Sequence, residues 1–293
     1  MTVDFNIYRQ RPGVADGAWG TMLMACGSRP GELVELWNLT RPADVRAVAA
    51  AYVQAGAEII LTNTFRANRF ALEHAGAGQQ AFELNEAGAR LSRAAAGTQV
   101  RVFGSLGPSG KMLIMKEVTP DALRDAFAEQ ARGLAAGGAD AIVCETFFDL
   151  QELLIAVAAA QENTPLPVVA SMTFDSGPDR TRTMMGVSPA QAVTALGDAG
   201  AAAVGCNCGL GIDGYIKVVQ QMRTHTTLPI WAKPNAGLPE TVQGKVVYHE
   251  TPEAFAGRAP ALAAAGANVI GGCCGTTPDF IRALASALRR HDD

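Results

Sequence analysis

The sequence has 293 residues, of which 48% are hydrophobic and 18% charged, and its formal net charge is -4 at pH 7. Such a chain can bury a large core, and its weak negative charge, without a lysine or arginine cluster, excludes a nucleic-acid surface. The first residues contain no apolar signal segment and no later run is long enough to span a membrane. We therefore expect a cytoplasmic protein without membrane partners.

Eight short apolar segments recur along the chain, separated by alanine-rich stretches with helical periodicity. They predict strands, in chain order, at residues 14–16, 58–63, 100–105, 139–145, 167–173, 202–207, 229–233 and 268–272. Intervening helices are predicted at 42–56, 120–138 and 189–200, where proline precedes and glycine follows the periodic segment. Alternation of this kind is typical of a parallel sheet with crossover helices.

Four predicted helix ends share a short repeat in which a glycine is followed by a buried strand. The repeats are AGAEII (55–60), GGADAIV (137–143), AGAAAVG (199–205) and AGANVIG (265–271). Eight such units favour an α/β fold with one domain over 1–293, a single (β/α)8 TIM barrel, for which about 250 residues are typical. A doubly wound sheet is the alternative, but DGAWGTML (16–23) lacks the dinucleotide-binding glycine spacing.

The predicted strands end in polar, small or sulfur-containing residues. In chain order these are Asp16, Asn63, Ser109, Glu145, Thr173, Cys208, Asn235 and the pair Cys273–Cys274. In a TIM barrel the carboxyl ends of the strands form the active-site face. The sequence therefore predicts that these side chains meet at one mouth.

Three of the six cysteines are predicted to bind metal at this mouth. Cys208, Cys273 and Cys274 lie at two strand ends, and an adjacent pair is a poor structural disulfide because its ring is strained. Three thiolates suit Zn²⁺ and leave its fourth tetrahedral position open, as in catalytic zinc sites. Asn235 is the predicted occupant of that position before substrate binds.

The other three cysteines are predicted to be core residues. Cys26 and Cys144 are isolated along the chain, as buried thiols without a chemical role often are. Cys206 lies two residues before Cys208, so it is expected on the same face but deeper in the barrel. It is the alternative fourth ligand.

A zinc ion with three thiolates is a weak Lewis acid but still deprotonates a coordinated thiol, so thiol activation is favoured over hydrolysis. The remaining mouth residues suit an amino-acid thiol. Asp16 and Glu145 offer carboxylates for its ammonium group. The backbone N–H groups of Gly17 and Ala18, and the Ser109 hydroxyl, are predicted to bind its carboxylate.

At these residues the sequence resembles the homocysteine S-methyltransferase family. The shared motifs are DGAWGTML (16–23), LTNTF (61–65), CETFFDLQE (144–152), GCNCGLG (205–211), PNAGLP (234–239) and GGCCGTTP (271–278). The resemblance implies a TIM barrel in which zinc on the three mouth cysteines binds homocysteine through its sulfur. It implies homocysteine contacts at Asp16, Glu145, Gly17, Ala18 and Ser109, and a displaceable zinc ligand at Asn235.

Two branches of the family resemble this chain and imply different methyl donors. Segments 36–42, 181–188 and 232–252 are similar to bacterial betaine–homocysteine methyltransferases, whereas GSLGPSG (104–110) is similar to the homocysteine module of cobalamin-dependent methionine synthase. The sequence ends at Asp293 without the other modules of the synthase, so a small onium donor such as betaine is the simpler expectation.

Onium cations are bound by aromatic rings, which predicts a donor site from aromatic residues near the mouth. The first candidates are Trp37, Phe65 and Phe147, followed by Phe148, Trp19 and Phe70. Arg66 and Phe147 replace the tyrosines of the animal betaine enzymes, and the dimerising arm of those enzymes is absent. Betaine specificity and oligomeric state are therefore left open.

Three alternatives to a betaine-dependent enzyme follow from the same residues. The donor is S-methylmethionine or dimethylsulfoniopropionate in the first. In the second, the chain is a homocysteine-binding subunit that receives the methyl group from a separate corrinoid protein carrying methylcobalamin. In the third, the chain binds zinc without turnover, which predicts a fourth protein ligand that homocysteine cannot displace.

Overall fold

The computed structural model describes residues 3–242 and 245–289. Its strands are β1 (Gly13–Val14), β2 (Ile59–Ile60), β3 (Arg101–Leu106), β4 (Ala141–Phe147), β5 (Val168–Met172), β6 (Ala203–Gly211), β7 (Ile230–Asn235), β8 (Glu240–Val242), β9 (Lys245–Val247) and β10 (Val269–Ile270). Eight of them form a parallel sheet in the order β1-β10-β7-β6-β5-β4-β3-β2. A parallel bridge from Ala15 to Ile59 joins its two ends and closes the barrel. The predicted (β/α)8 TIM barrel is confirmed.

Proline and glycine located the helices predicted at 42–56, 120–138 and 189–200 to within two residues at each end. The described residues form eleven α-helices. They are α1 (Trp19–Ala25), α2 (Trp37–Thr40), α3 (Pro42–Gln54), α4 (Arg69–Glu73), α5 (Ala81–Ala96), α6 (Pro120–Ala136), α7 (Leu150–Asn163), α8 (Pro189–Asp198), α9 (Ile212–Arg223), α10 (Pro252–Ala264) and α11 (Pro278–Arg289). The repeat glycines Gly56, Gly138, Gly200 and Gly266 have φ of 95°, 89°, 78° and 117°. Each adopts the left-handed conformation that ends a helix at little cost for glycine alone.

An aromatic core fills the interior of the barrel at the amino ends of its strands. The rings of Phe103 and Trp231 stack with centroids 5.9 Å apart, and Phe5 packs edge-on to Phe103 at 5.8 Å. Phe5 and Tyr8 come from an N-terminal 3₁₀ helix, Phe5–Arg9, and both are buried in this core. This end of the barrel is therefore filled, so a substrate has to enter from the opposite end.

Replacement of Trp231 by alanine is expected to lower the free energy of unfolding by about 3–5 kcal/mol, because it leaves a cavity in a rigid interior. Chemical denaturation measures the change. Ile114→Ala is the control, since Ile114 is 69% exposed. Equal destabilisation by the two substitutions would contradict the assignment of Trp231 to the core.

Two features of the fold were not predicted. Strands β8 and β9 form an antiparallel hairpin between β7 and α10, and β8 is wholly exposed, so it lacks the apolar pattern of a barrel strand. The connection from β1 to α3 contains two short helices, α1 and α2. Within the described ranges, no helix is long and apolar enough to cross a membrane. The single domain over 1–293 includes residues outside those ranges and stays a prediction.

Candidate metal and substrate site

A layer of polar side chains lies above the aromatic core, inside the barrel. Side chains two residues apart on a strand share a face. Phe103, Val143 and Trp231 point into the barrel. The residue two positions after each of them points the same way and is polar. The polar layer consists of Ser105, Glu145, Ser171, Asn207 and Lys233, and all five are buried. The change from apolar to polar marks the floor of the mouth.

The structure brings Cys208, Cys273 and Cys274 together at this mouth. Their Sγ atoms all lie within 4.8 Å of one another, and those of Cys208 and Cys274 are 3.8 Å apart. The end of β7 holds the adjacent pair in place. The N–H of Cys273 donates to Pro234 O at 2.8 Å, and the N–H of Ala236 donates to Cys274 O at 2.9 Å.

Cys206 does not lie on the same face as Cys208, and that prediction is wrong. Cys206 is fully buried in the core between the sheet and the helices. Cys208 has a φ of 64°, and the pairing of β6 with β7 shifts between Cys208 and Gly211. The left-handed residue interrupts the alternation of the strand, so that Cys208 faces the mouth. Cys206 remains a core residue, as expected.

Asn207 fixes the conformation of the chain immediately before Cys208. Its Oδ1 accepts hydrogen bonds from Ser171 Oγ at 2.7 Å and from Thr146 N at 2.9 Å. Its Nδ2 donates to Thr146 Oγ1 at 2.6 Å, and its backbone oxygen accepts from the Tyr215 hydroxyl at 2.7 Å. Sequence reasoning placed Asn207 at a strand end but assigned it no role. Its partners come from β4, β5 and α9, which no local pattern reveals.

The donor atoms at this mouth fit zinc. Contacts with neighbouring thiols, together with burial, raise the pKa of Cys208 and Cys274 to about 12, so three thiolates need a cation to balance them. Asn235 Oδ1 is buried and has no hydrogen-bond partner among the described residues. The Nδ2 of the same amide donates to Gly209 O at 3.3 Å, next to Cys208. Three sulfurs and one amide oxygen are a suitable donor set for a tetrahedral ion.

Tyr248 covers the adjacent cysteine pair and was missed by sequence reasoning. Its ring lies against Gly275, where a side chain would overlap it and where φ is 83°. Burial, followed by the nearby charge of Cys274, raises the pKa of Tyr248. Tyr248 follows the unpredicted hairpin, so no pattern in the sequence placed it at the mouth.

Asp16, the predicted ammonium ligand, is bound by protein donors in this structure. Lys233 Nζ lies 2.5 Å from Asp16 Oδ1, and the two side chains are 2% and 0% exposed. Asp16 Oδ2 accepts from Trp19 Nε1 and from Leu61 N, both at 2.7 Å. The carboxylate is fully buried, and its role as an ammonium ligand stays a prediction.

Glu145 keeps a carboxylate oxygen for a ligand. Its Oε1 accepts from Ser105 Oγ at 2.5 Å, and its Oε2 has no hydrogen-bond partner within residues 3–242 and 245–289. Burial raises the pKa of Glu145, although Lys233 and Ser105 act in the opposite direction. A buried carboxylate with one uncommitted oxygen is suited to bind a substrate ammonium group.

Two of the three predicted carboxylate-binding groups are occupied. The N–H of Ala18 donates to Thr276 O and Oγ1, both at 3.2 Å. Ser109 donates from Oγ and from N to one oxygen of the buried Glu152, at 2.6 and 2.7 Å. Buried polar groups are rarely left without a hydrogen-bond partner, and the partners of Ala18 and Ser109 are atoms of the protein itself. The N–H of Gly17 has no partner among the described residues and stays a candidate.

Two of the predicted donor-binding aromatics have no free face. Phe147 is fully buried and packs against Phe127, with centroids 6.1 Å apart. It points towards the helices because Thr146, with a φ of 65°, interrupts the alternation of β4. Trp37 is 3% exposed, and Arg41 Cζ lies 3.6 Å from its ring centroid. Phe65 is half-buried and packs on Gly107.

Comparisons with known proteins agree with this geometry. The homocysteine S-methyltransferase family model matches residues 13–288. Methionine synthases of Mycobacterium tuberculosis and Mycobacterium leprae are 33% and 32% identical over 97% of this chain, which spans only 25% of their length. The metallated form of the homocysteine methyltransferase MmuM from Escherichia coli has a TM-score of 0.79 at 24% identity, covering 96% of this chain and 98% of that one. Because the family match extends over nearly the whole barrel, the chain belongs to the homocysteine S-methyltransferase family.

Proposed function

We propose that this protein transfers a methyl group to the sulfur of homocysteine, forming methionine, with zinc held by Cys208, Cys273 and Cys274. The convergence of these three thiols within 4.8 Å is the observation that carries the proposal. The family membership supports the substrate, and a similar fold has been crystallised in a metallated form. When bound, zinc lowers the pKa of a coordinated thiol, so that its sulfur is nucleophilic at neutral pH.

The chain's own residues bind and orient the substrate. Glu145 Oε2 receives the ammonium group, and the N–H of Gly17 is the remaining donor for the carboxylate. The sulfur attacks the methyl carbon as the bond from that carbon to the donor breaks, and the bonding electrons stay with the leaving group. The attack needs no general base once the thiol is ionised. Positioning of both reactants supplies much of the remaining acceleration.

Asn235 is the proposed occupant of the fourth zinc position before homocysteine binds. Asn235 Oδ1 has no hydrogen-bond partner among the described residues, so it is free to bind the ion. The Asn235→Ala variant lacks this oxygen and should bind zinc more weakly in the absence of substrate. Its homocysteine affinity should be unchanged or higher, since no ligand has to be displaced. Chelator competition measures the first quantity and titration calorimetry of the zinc-loaded protein the second. A loss of homocysteine affinity would instead assign Asn235 to the substrate site.

The methyl donor is proposed to be a small onium compound, with betaine as the first candidate and S-methylmethionine or dimethylsulfoniopropionate as the others. Phe65 is half-buried, as are the further candidates Phe148, Trp19 and Phe70. Trp37 and Phe147 are buried, so the site has no preformed cage built from them. That observation favours a second candidate, in which a separate corrinoid protein supplies the methyl group. The match to one quarter of longer methionine synthases agrees with it. Zinc binding without turnover is not favoured, because the family consists of methyltransferases.

A donor screen tests the proposal. Zinc-loaded protein is incubated with homocysteine and, separately, with betaine, S-methylmethionine, dimethylsulfoniopropionate or a methylcobalamin-loaded corrinoid protein, and methionine is quantified. Methionine from an onium donor alone supports the first candidate, and methionine only with the corrinoid protein supports the second. No methionine with any donor, from protein that has retained zinc, would argue against the proposed function.

A further inference from the structure

Two strand ends at the mouth have an unusual backbone conformation. Thr146 near the end of β4 has a φ of 65°, and Cys208 in the last part of β6 has a φ of 64°. In the described ranges, the other residues besides glycine with a positive φ are Lys116 and Arg180, and both are exposed. A left-handed residue other than glycine costs energy and persists only where its surroundings hold it. Two such residues at strand ends therefore indicate a role in the site.

Each left-handed residue adjoins a group with a proposed function. Thr146 follows Glu145, whose Oε2 is the proposed ligand for the substrate ammonium group. Cys208 is itself one of the three thiols of the metal cluster. The pairing of the strand with its neighbour shifts at both places. The two distortions thus set the directions of the substrate carboxylate and of the metal thiol.

One side chain connects the two distorted strand ends. Asn207 immediately precedes Cys208 and is fully buried. Its Oδ1 accepts from the N–H of Thr146 at 2.9 Å, and its Nδ2 donates to the Thr146 hydroxyl oxygen at 2.6 Å. Strand β5 lies between β4 and β6 in the sheet, and its Ser171 hydroxyl donates to the same Oδ1 at 2.7 Å. The amide therefore spans the strand that separates the two ends.

The amide of Asn207 is suited to hold Thr146 in its left-handed conformation. An amide offers a donor and an acceptor at once, and here both engage the same residue. Because Asn207 is fully buried, breaking these bonds would leave its amide without partners, which is costly. The bonds can thus offset the cost of the strained backbone. A displacement of either strand end would be transmitted to the other through this side chain.

We propose that Asn207 is a positioning residue that couples the metal thiol Cys208 to the substrate carboxylate Glu145. It holds Thr146, and with it Glu145, in a fixed relation to Cys208. The thiol and the ammonium group of one homocysteine molecule can then reach their two partners simultaneously. This inference rests on the proposed function, because it concerns a ligand that is bound at both points.

A substitution on β4 should change metal binding on β6, and Thr146→Val tests this. Valine keeps the β-branched shape but cannot accept the bond from Asn207 Nδ2. Thr146 lies outside the thiol cluster, yet zinc affinity should fall by about threefold to tenfold, below the upper range of about 100-fold for a residue that orients a metal ligand directly. Chelator competition without substrate measures zinc affinity. Unchanged zinc affinity would overturn the inference.

Asn207→Ala should weaken both interactions at once. Zinc affinity is expected to fall by about 10- to 100-fold. At saturating zinc, homocysteine should lose more affinity than 4-mercaptobutyrate, which has the same thiol and carboxylate but no amino group. We expect a difference of about fivefold, part of the roughly 10- to 150-fold that a complete charged hydrogen bond contributes. Titration calorimetry of the zinc-loaded proteins measures both affinities, and equal losses for the two thiols would contradict the coupling.

Asn268→Ala is the matched control. The Oδ1 of Asn268 accepts from the N–H of Ile230 at 2.9 Å, and its Nδ2 donates to Tyr8 O at 3.2 Å, so it also links separate elements. It lies at the amino ends of the strands, away from the mouth. Asn268→Ala should lower thermal stability but leave zinc and thiol affinities unchanged. The same result for Asn207→Ala would show a merely structural role and refute the inference.

The two substitutions also separate this inference from the proposed function. Thr146→Val keeps the inference testable if Asn207→Ala does not fold. If the unmodified zinc-loaded protein binds neither thiol, the proposed function fails, while the zinc affinity of Thr146→Val still tests the link to Cys208. If the unmodified protein binds homocysteine and forms methionine but Thr146→Val retains full zinc affinity, only the coupling through Asn207 is wrong.

Discussion

Alanine at any one of Cys208, Cys273 or Cys274 is expected to remove zinc and to lower methionine formation by more than about a hundredfold. Loss of a residue that merely orients a metal ligand already lowers metal affinity or activity by about 10- to 100-fold. Loss of the ligand itself should therefore have a larger effect. Two remaining thiols also leave the ion underligated, because no other cysteine, histidine or acid among the described residues belongs to the cluster. Zinc content by metal analysis and methionine formation with the donor found active are the two measurements.

Cys26→Ala is the matched control for the thiol variants. Cys26 packs against the core outside the cluster, and the Arg41 guanidinium binds its backbone oxygen, which alanine retains. Zinc content and activity should therefore equal those of the unmodified protein. A triple variant without the three mouth thiols that still methylated homocysteine would refute the metal site.

Glu145→Gln is expected to raise the KM for homocysteine by about 10- to 150-fold with zinc content unchanged. Glutamine keeps the shape of the side chain and an oxygen for Ser105, but it removes the charge that pairs with the substrate ammonium. Hydrogen bonds to charged groups contribute about 1.5–3 kcal/mol each, which corresponds to that range. Steady-state kinetics at saturating donor measures KM.

Glu162→Gln provides the comparison, since Glu162 is an exposed glutamate paired with Arg124 on the surface. It should leave KM unchanged. An unchanged KM in Glu145→Gln as well would remove Glu145 from the substrate site.

The raised pKa of Glu145 adds a pH dependence to the same variant. Burial favours the protonated carboxyl group, which cannot pair with ammonium. Homocysteine binding should therefore weaken as pH falls through the pKa of Glu145, and at a higher pH than for an ordinary glutamate. This part of the pH profile should be lost in Glu145→Gln.

The barrel and the thiol cluster could be predicted because both follow from short-range patterns. Proline at helix starts, glycine at helix ends and apolar segments of strand length are local signals, and they located every barrel strand. The carboxyl ends of parallel strands meet at one face in any barrel of this kind. Cys208 and Cys273 were thus expected to meet, although 64 residues separate them.

Side-chain direction at the strand ends could not be predicted. Thr146 and Cys208 adopt left-handed φ angles, which cost energy for residues other than glycine and leave no mark in the sequence pattern. Each interrupts the strand alternation. As a result, Phe147 points into the helix layer and Cys208 points into the mouth, while Cys206 faces away from it.

The sequence by itself determined the number and order of the β/α units and the three thiols that end two of the strands. Tertiary structure decided which polar groups at the mouth are free to bind a substrate. Asp16 is held by Lys233 and Ser109 by Glu152, whereas Glu145 keeps one oxygen. Strand and helix patterns depend on neighbouring residues, but a buried polar group takes whichever partner folding brings within hydrogen-bond distance, and that partner lies far away in the chain.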